Sequence, residues 1–181
     1  MFKNCRTWGM ALVATGVNAV APALRALRIP AKEIHVLRPG FWHRYELSEL
    51  NPREWEALCD GCGLCCLLKF WTEDDEIAYT NVHCRLLDCS TCRCRHYPAR
   101  KKIVPDCIKL TPGSVREHAP NMPSSCAYRL RLEGKPLHDW HHLVSGSRET
   151  VDKAGVSIKN RGICETTIAP DRLAEHTIET P

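Results

Sequence analysis

The sequence predicts an α+β fold, a small loop-rich domain with short helices and a few short strands. Three observations predict it. Hydrophobic residues make up 44% and charged residues 25% of 181 residues, which is ordinary for a globular chain. Helix and strand signals are brief, with turn residues between them. Twelve cysteines are present, and ten lie between Cys59 and Cys126. Side-chain cross-links at that density can stand in for part of a large core. The composition excludes a chain disordered throughout, a collagen-like repeat and a multi-span membrane protein.

Residues 1–40 read as an N-terminal extension. They carry Lys3, Arg6, Arg25, Arg28, Lys32 and Arg38 against Glu33 alone. The formal net charge of the chain is +4, so the remaining residues sum close to neutral. A neutral body argues against a broad nucleic-acid surface. Residues 7–24 hold no charged side chain. Three readings fit them. One is a secretory signal with Ala21-Pro22-Ala23 as its small-residue cleavage site. Another is a marginal membrane anchor. The third, which the weak Ala/Gly/Thr/Asn hydrophobicity favours, is a poorly ordered or partly helical extension, arising from a start placed too far upstream. An exported chain would also meet oxidising conditions, which convert thiols to disulfides.

The body is expected over residues 41–165, opening at Phe41-Trp42. Asn51-Pro52-Arg53-Glu54 predicts a helix start: Asn at the N-cap, Pro in the first turn, Glu three residues on. Trp55 and Leu58 share one face of that helix, which leads into Cys59. Residues 77–82 predict a short strand. Cys84 to Cys94 reads as a thiol-dense loop. Thr111-Pro112 opens a helix through about His118. Ser124 and Ser125 are expected to cap another from Cys126 to Glu133, closed by Gly134. Trp140 to Val144 reads as helical, and residues 156–159 alternate like a strand. Residues 166–181 are expected to form a flexible tail.

The sharpest motif is Cys59-Asp60-Gly61-Cys62-Gly63-Leu64-Cys65-Cys66. Two residues between thiolates let a tight turn aim both sulfurs at one ion, as in zinc fingers and iron–sulfur loops. Gly61 and Gly63 free the backbone to wrap the site. The run resembles the opening of a bacterial ferredoxin loop but lacks its closing Cys-Pro, so a fourth ligand must come from a distance. Cys65 and Cys66 are adjacent, so their side chains diverge and need not serve one metal. Cys84, Cys92, Cys94, Cys107 and Cys126 are the remote candidates, and Cys89-Ser90-Thr91-Cys92 supplies another two-residue gap. Together these suffice for two four-coordinate sites, or for one cluster plus one zinc. Disulfides or inert buried thiols are the plain alternatives. The crowding of the Gly-containing run argues against a disulfide framework. The fold expectation is therefore a metal-stapled one, with zinc or iron, or a 4Fe–4S cluster, as cofactor.

At these residues the chain resembles the YcgN-like family of bacterial proteins, which carries a zinc- or iron-chelating CxxCxxCC domain. The resemblance includes Glu54-Trp55-Glu56, Leu58-Cys59-Asp60-Gly61-Cys62-Gly63, Cys65-Cys66, Thr80-Asn81-Val82 and Cys84-Arg85. It continues through Thr91-Cys92, Cys94-Arg95, Asp106-Cys107-Ile108-Lys109-Leu110, Cys126-Ala127-Tyr128-Arg129-Leu130, Glu133-Gly134-Lys135, Trp140-His141 and Gly146-Ser147. It covers about residues 41–160. It implies a cytoplasmic metal-chelating protein. Its ligands would be drawn from Cys59, Cys62, Cys65, Cys66, Cys84, Cys92, Cys94, Cys107 and Cys126. Cys5, Cys89 and Cys164 fall outside the pattern. A related domain occurs in a flagellin lysine methylase, so the resemblance also keeps an enzyme in view.

Other features carry weaker signals. His138, His141 and His142 could present two imidazoles at i and i+4, but no H-E-x-x-H motif accompanies them, and core or surface histidines are the plainer reading. Glu73-Asp74-Asp75-Glu76 lacks the EF-hand pattern and reads as a solvated turn. Arg93, Arg95, Arg100, Lys101 and Lys102 form a basic stretch that reads as a solvated face. Asp106 and Lys109 could hydrogen-bond around Cys107. Three functions follow: a non-catalytic metal-binding protein, an iron–sulfur redox or radical-type enzyme, and a zinc-dependent binder of nucleic acid or protein. The first is the expectation. No Gly-rich nucleotide loop or catalytic triad supports the second, and no finger or RNA-recognition motif supports the third.

Overall fold

A computed structural model describes residues 36–179 of the chain. The expectations for residues 7–24 lie outside these. The chain divides into a unit of residues 1–34 and a unit of residues 35–181, and the described residues belong to the second.

The architecture is a small α+β fold. Its helices are α1 (Phe41–Arg44), α2 (Pro52–Ala57), α3 (Arg100–Ile103), α4 (Val115–His118), α5 (Ala127–Leu132), α6 (His142–Ser145) and α7 (Thr150–Lys153). Its strands are β1 (Leu67–Trp71), β2 (Ile77–His83), β3 (Leu87–Asp88), β4 (Arg93–Cys94), β5 (Ile163–Cys164) and β6 (Thr177–Ile178).

The start of α2 follows from its sequence. The Asn51 side chain accepts from the N–H groups of Arg53 and Glu54, at 2.9 and 3.0 Å, and the Glu54 carboxylate accepts from Asn51 N–H at 3.0 Å. Reciprocal capping of this kind satisfies donors that the first helical turn leaves open. The same carboxylate takes Arg38 Nε at 2.8 Å and Arg38 Nη2 at 2.6 Å. Glu54 is fully buried, and the Arg38 guanidinium holds its carboxyl down to about 2, against the opposing effect of burial.

β2 organises the main sheet. β1 runs antiparallel to it, with Lys69 opposite Tyr79 and Trp71 opposite Ile77. The register shifts between Leu67 and Lys69. The fully buried Thr80 occupies this irregularity and donates its hydroxyl to Leu68 O at 2.9 Å. β5 pairs parallel with Val82–His83, and β6 pairs antiparallel with Tyr79–Thr80. β3 and β4 form a separate two-stranded ribbon.

Several expectations change here. β1 is not anticipated, because Leu67-Leu68-Lys69-Phe70-Trp71 is nearly continuous in apolar character and lacks a period of two. The loop expected over Cys84 to Cys94 holds the β3–β4 ribbon, where backbone pairing replaces strong side-chain patterning. The helix expected from Thr111 begins at Val115, because Thr111 and Ser114 exchange backbone and hydroxyl hydrogen bonds in a turn first. Cys126, not a serine, is the N-cap residue of α5. Residues 156–159 form no strand; Ile158 N–H bonds to Cys62 O at 2.9 Å across a bend. The segment after Pro170 carries a 3-10 helix (Pro170–His176) leading into β6, which pairs with β2. α2, β2, α5 and the Glu73–Glu76 turn stand as expected, the turn closed by Thr72 N–H to Glu76 O at 2.9 Å.

The core is apolar and divided. Phe41, Trp55, Leu58, Val115 and Tyr128 pack together beneath α2, and Leu64, Leu67, Tyr79, Leu87 and Ile158 pack beneath the sheet. The cysteine run connects the two clusters along the chain.

Candidate metal centre

The cysteine run leaves α2 through Leu58, whose N–H still bonds to Glu54 O. Asp60 then turns the chain: its Oδ1 accepts Cys62 N–H at 2.9 Å. Gly61 and Gly63 both adopt left-handed backbone, with φ of 81° and 79°. At Gly63 glycine is required twice over, since a Cβ would come within 2.7 Å of Ile158 and 3.2 Å of Cys92 Sγ. A short 3-10 turn, Leu64–Cys66, completes the loop. These features bend Cys59, Cys62 and Cys65 around one region.

Cys126 reaches the same region from far along the chain. The Tyr128 hydroxyl donates to Trp55 O at 2.8 Å, and the two rings lie 4.9 Å apart, tying α5 to α2. Trp55 Nε1 in turn donates to Leu110 O at 3.2 Å.

The thiols show this proximity in their acidities. Cys59 is pushed up to about 12, first by desolvation, then by the charges of Cys65 and Asp60, with Cys126 adding to them. Cys62 is pushed well up by desolvation, Asp60, Cys65 and Cys59. Cys126 is pushed up to about 12 by desolvation, with Cys65 and Asp60 contributing. Cys59 and Cys65 reach solvent at the surface, yet enough protein surrounds Cys59 to disfavour its thiolate. Cys65 moves the other way, to about 7, because the Cys66 thiol hydrogen-bonds to it and Lys69 lies nearby. Cys66, the donor, is raised.

The other cysteines separate into two further neighbourhoods. Cys66, Cys84, Cys94 and Cys107 lie near one another: Cys84 and Cys107 act on Cys66, and Cys84 and Cys94 act on Cys107. Arg100 stands beside Cys107 and opposes the rise that burial imposes on it. Cys92 and Cys89 face the 157–162 segment. Cys92 Sγ lies 3.6 Å from Ser157 Oγ, and Cys89 Sγ donates to Ile158 O at 3.4 Å. Cys164 Sγ lies 3.3 Å from Thr166 Oγ1.

All eleven cysteines among the described residues are free thiols. Among those residues no group of three or more His, Cys, Asp or Glu side chains stands ready to hold a metal ion. The thiols are instead occupied with local partners, such as Cys65 with Cys66. Cys65 and Cys66, bonded to each other, join the neighbourhood of Cys59, Cys62 and Cys126 to that of Cys84, Cys94 and Cys107.

Of the three histidines in this stretch, His141 is already engaged. His141 is 1% exposed; its Nδ1 accepts Leu143 N–H at 3.2 Å, which leaves Nε2–H to donate to Leu58 O at 3.0 Å. Burial lowers its basicity, and burial with the Arg148 charge takes His142 down to about 4. His138 stacks on Trp140 with centroids 5.0 Å apart. His142 stacks on His141 with centroids 4.6 Å apart, and both of its ring nitrogens are buried without a hydrogen-bond partner.

Sequence reasoning missed two charged neighbours. Asp60 is buried, and its Oδ2 has no hydrogen-bond partner. The C-x2-C spacing drew attention past it, although an Asp inside such a gap was a readable signal. Lys69 donates to Cys65 O at 3.1 Å and Leu67 O at 3.0 Å, and only the turn after Cys66 brings it there.

Comparison with known proteins gives a consistent set of relatives. A UPF0260 protein of Rhodobacter capsulatus is 49% identical over 144 residues, covering 79% of this chain and 96% of its own. One from Caulobacter vibrioides is 56% identical over 129 residues, 71% of this chain and 79% of its own. One from Pseudomonas putida is 49% identical over 139 residues, 76% and 92% respectively. No family model and no solved structure matches.

Proposed function

The chain belongs to the UPF0260 family, and from that premise we propose that it is a non-catalytic, thiolate-based metal-binding protein of the cytoplasm. Cys59, Cys62, Cys65 and Cys126 are its ligands for zinc or iron. The observation that carries this reading is the turn that carries Cys59, Cys62 and Cys65 within seven residues past the buried Asp60, with Cys126, the N-cap residue of α5, close enough for Asp60 and Cys65 to act on it. Asp60 Oδ2 is an orphaned acceptor in that turn, and buried acceptors without a partner are rare unless an ion or water completes them. Four thiolates suit tetrahedral zinc or an iron–sulfur cluster in donor chemistry, and binding must draw the side chains together, since no three of them are gathered as a site among the described residues. The resemblance of the motifs to the CxxCxxCC domain of YcgN-like proteins supports the same assignment.

Bound there, the metal supplies positive charge that favours thiolate over thiol and a cross-link between the loop and α5. The protein's own part is positional. Gly61 and Gly63 bend the loop, Asp60 Oδ1 fixes the Cys62 amide, and the Tyr128–Trp55 bond holds Cys126 in reach. Solvent access at Cys59 and Cys65 gives an ion a way in. Loading requires the Cys65–Cys66 hydrogen bond to open and the raised thiols to lose protons, so affinity falls as pH falls. Free thiols throughout the described residues suit a reducing compartment.

The test is anaerobic purification followed by metal analysis, acid-labile sulfide and a visible spectrum. Stoichiometric zinc in a colourless protein, lost in C59S/C126S, is expected of a structural centre. Iron with sulfide in a brown protein would assign a cluster and bring the redox reading forward. A chain that carries neither metal overturns the proposal.

A further inference from the structure

Between Cys89 and Pro105 the chain carries Arg93, Arg95, Arg100, Lys101 and Lys102 and no carboxylate. The near-neutral total of the body averages over this local excess. Arg93 and Arg95 alternate with the half-buried Cys94, so both reach solvent on one face of the β3–β4 ribbon. Arg95 N–H bonds to Leu86 O at 2.8 Å, which fixes that face. A 3-10 turn, Tyr97–Ala99, then leads into α3, where Lys101 and Lys102 are exposed. Tyr97 stands between the two pairs of cations and is 45% exposed. The Arg100 guanidinium lies 3.8 Å from the centre of its ring, and Arg100 Nη1 donates to Tyr97 O at 2.6 Å. The Tyr97 hydroxyl donates to Glu56 Oε2 at 2.8 Å, so the ring is held at both ends.

Among the described residues none of the five cations forms an ion pair, although Arg85 and Lys159, for example, do. The neighbouring carboxylates are committed elsewhere. Asp88, opposite Arg93 across the ribbon, accepts from Ser90 N–H and hydroxyl, and Glu165 pairs with Arg85. Asp106 is the first carboxylate beyond the strip.

We propose that the strip of Arg93, Arg95, Tyr97, Arg100, Lys101 and Lys102 is a docking surface for single-stranded nucleic acid. It goes beyond the metal-binding reading and does not depend on it. A row of unpaired cations attracts a chain of phosphates and releases its counterions. Arg93 and Arg95 are about 7 Å apart along extended backbone, near the separation of successive phosphates in a stretched single strand. A half-exposed ring stacked with a guanidinium offers planar surface on which an unpaired base stacks. A duplex hides its base faces, and an anionic membrane or an acidic peptide has none, so the ring favours single strands.

The test is fluorescence anisotropy of the full chain with labelled RNA and DNA single strands of mixed sequence, about 12 nucleotides long, over a range of salt. The logarithm of the binding constant is expected to fall against that of salt with a slope of about −2 to −3, as three or four phosphate contacts give. R93A/R95A should weaken binding about tenfold and make the slope shallower by about 1. Tyr97→Leu should weaken it about fivefold at unchanged slope. No binding at low salt overturns the proposal. So does equal or tighter binding of a duplex, of phosphatidylserine vesicles or of polyglutamate. Residues 1–35 are also basic and a variant can misfold, so wild type is crosslinked to a 4-thiouridine strand and mapped by mass. Adducts within residues 93–103 are expected, and adducts found only elsewhere overturn the proposal whatever the variants do.

Discussion

The two cysteine groups are assembled in opposite ways. Cys59, Cys62 and Cys65 come from seven consecutive residues, with Cys126 alone arriving from elsewhere. Cys66, Cys84, Cys94 and Cys107 come from four separate stretches, joined by a strand pair, a ribbon and a loop. The first group depends on local backbone: two left-handed glycines and an Asp-closed turn. The second depends on tertiary contacts and on Arg85 and Arg100. A disturbance of local conformation should therefore damage the first group most, and a disturbance of strand pairing the second.

The largest expected effect breaks the comparison on the local side. Gly63→Ala forces a side chain into left-handed backbone and against Ile158, and should cost about 2–4 kcal/mol in a denaturant titration. Gly61→Ala meets no neighbour, so it should cost only about 1–2 kcal/mol, the backbone penalty alone. Equal losses would show that packing at Gly63 contributes nothing.

Next is the helix that delivers the loop. Glu54→Gln removes a charge-assisted cap and weakens the bonds of Arg38, at a cost of about 2 kcal/mol. The sign with pH is fixed by the lowered acidity constant of Glu54. Its contribution is complete above the unfolded value of 4.5 and is lost as pH falls toward about 2. Thermal unfolding followed between these limits should be flatter in Glu54→Gln than in wild type.

A smaller change sharpens the contrast. Tyr128→Phe removes one of the two donors to Trp55 O, leaving Leu58 N–H at 3.1 Å, and should cost about 1 kcal/mol. It loosens Cys126, so calorimetric zinc titration should show weaker binding to this variant than to wild type if Cys126 is a ligand.

Much of the first group was legible because its information is short-range. The Asn51/Glu54 cap, the C-x2-C spacing and the two glycines each act within a few residues, and each reappears in the structure. The second group was legible only as a roster of candidates. Cys92 shares a two-residue gap with Cys89 and looked equivalent to Cys94. In the structure Cys92 has positive φ and its Sγ lies 3.6 Å from Ser157 Oγ. The strands β1 and β6 were missed because each is defined by pairing with β2, not by a pattern in its own residues.

By itself, then, the sequence determined an α+β chain of short elements with a thiol-rich turn entered from a capped helix. Those features follow from backbone preference and hydrogen bonds between near neighbours, which no distant segment has to supply. Tertiary structure alone decided that the segment carrying Cys126 is tied to α2, that Asp60 is left with a buried unpaired oxygen, and that the Cys84 amide bonds to the Cys66 carbonyl. These outcomes depend on strand register and on the Tyr128–Trp55 bond, contacts between residues tens of positions apart. Spacing along the chain carries no record of such pairings until the sheet has formed.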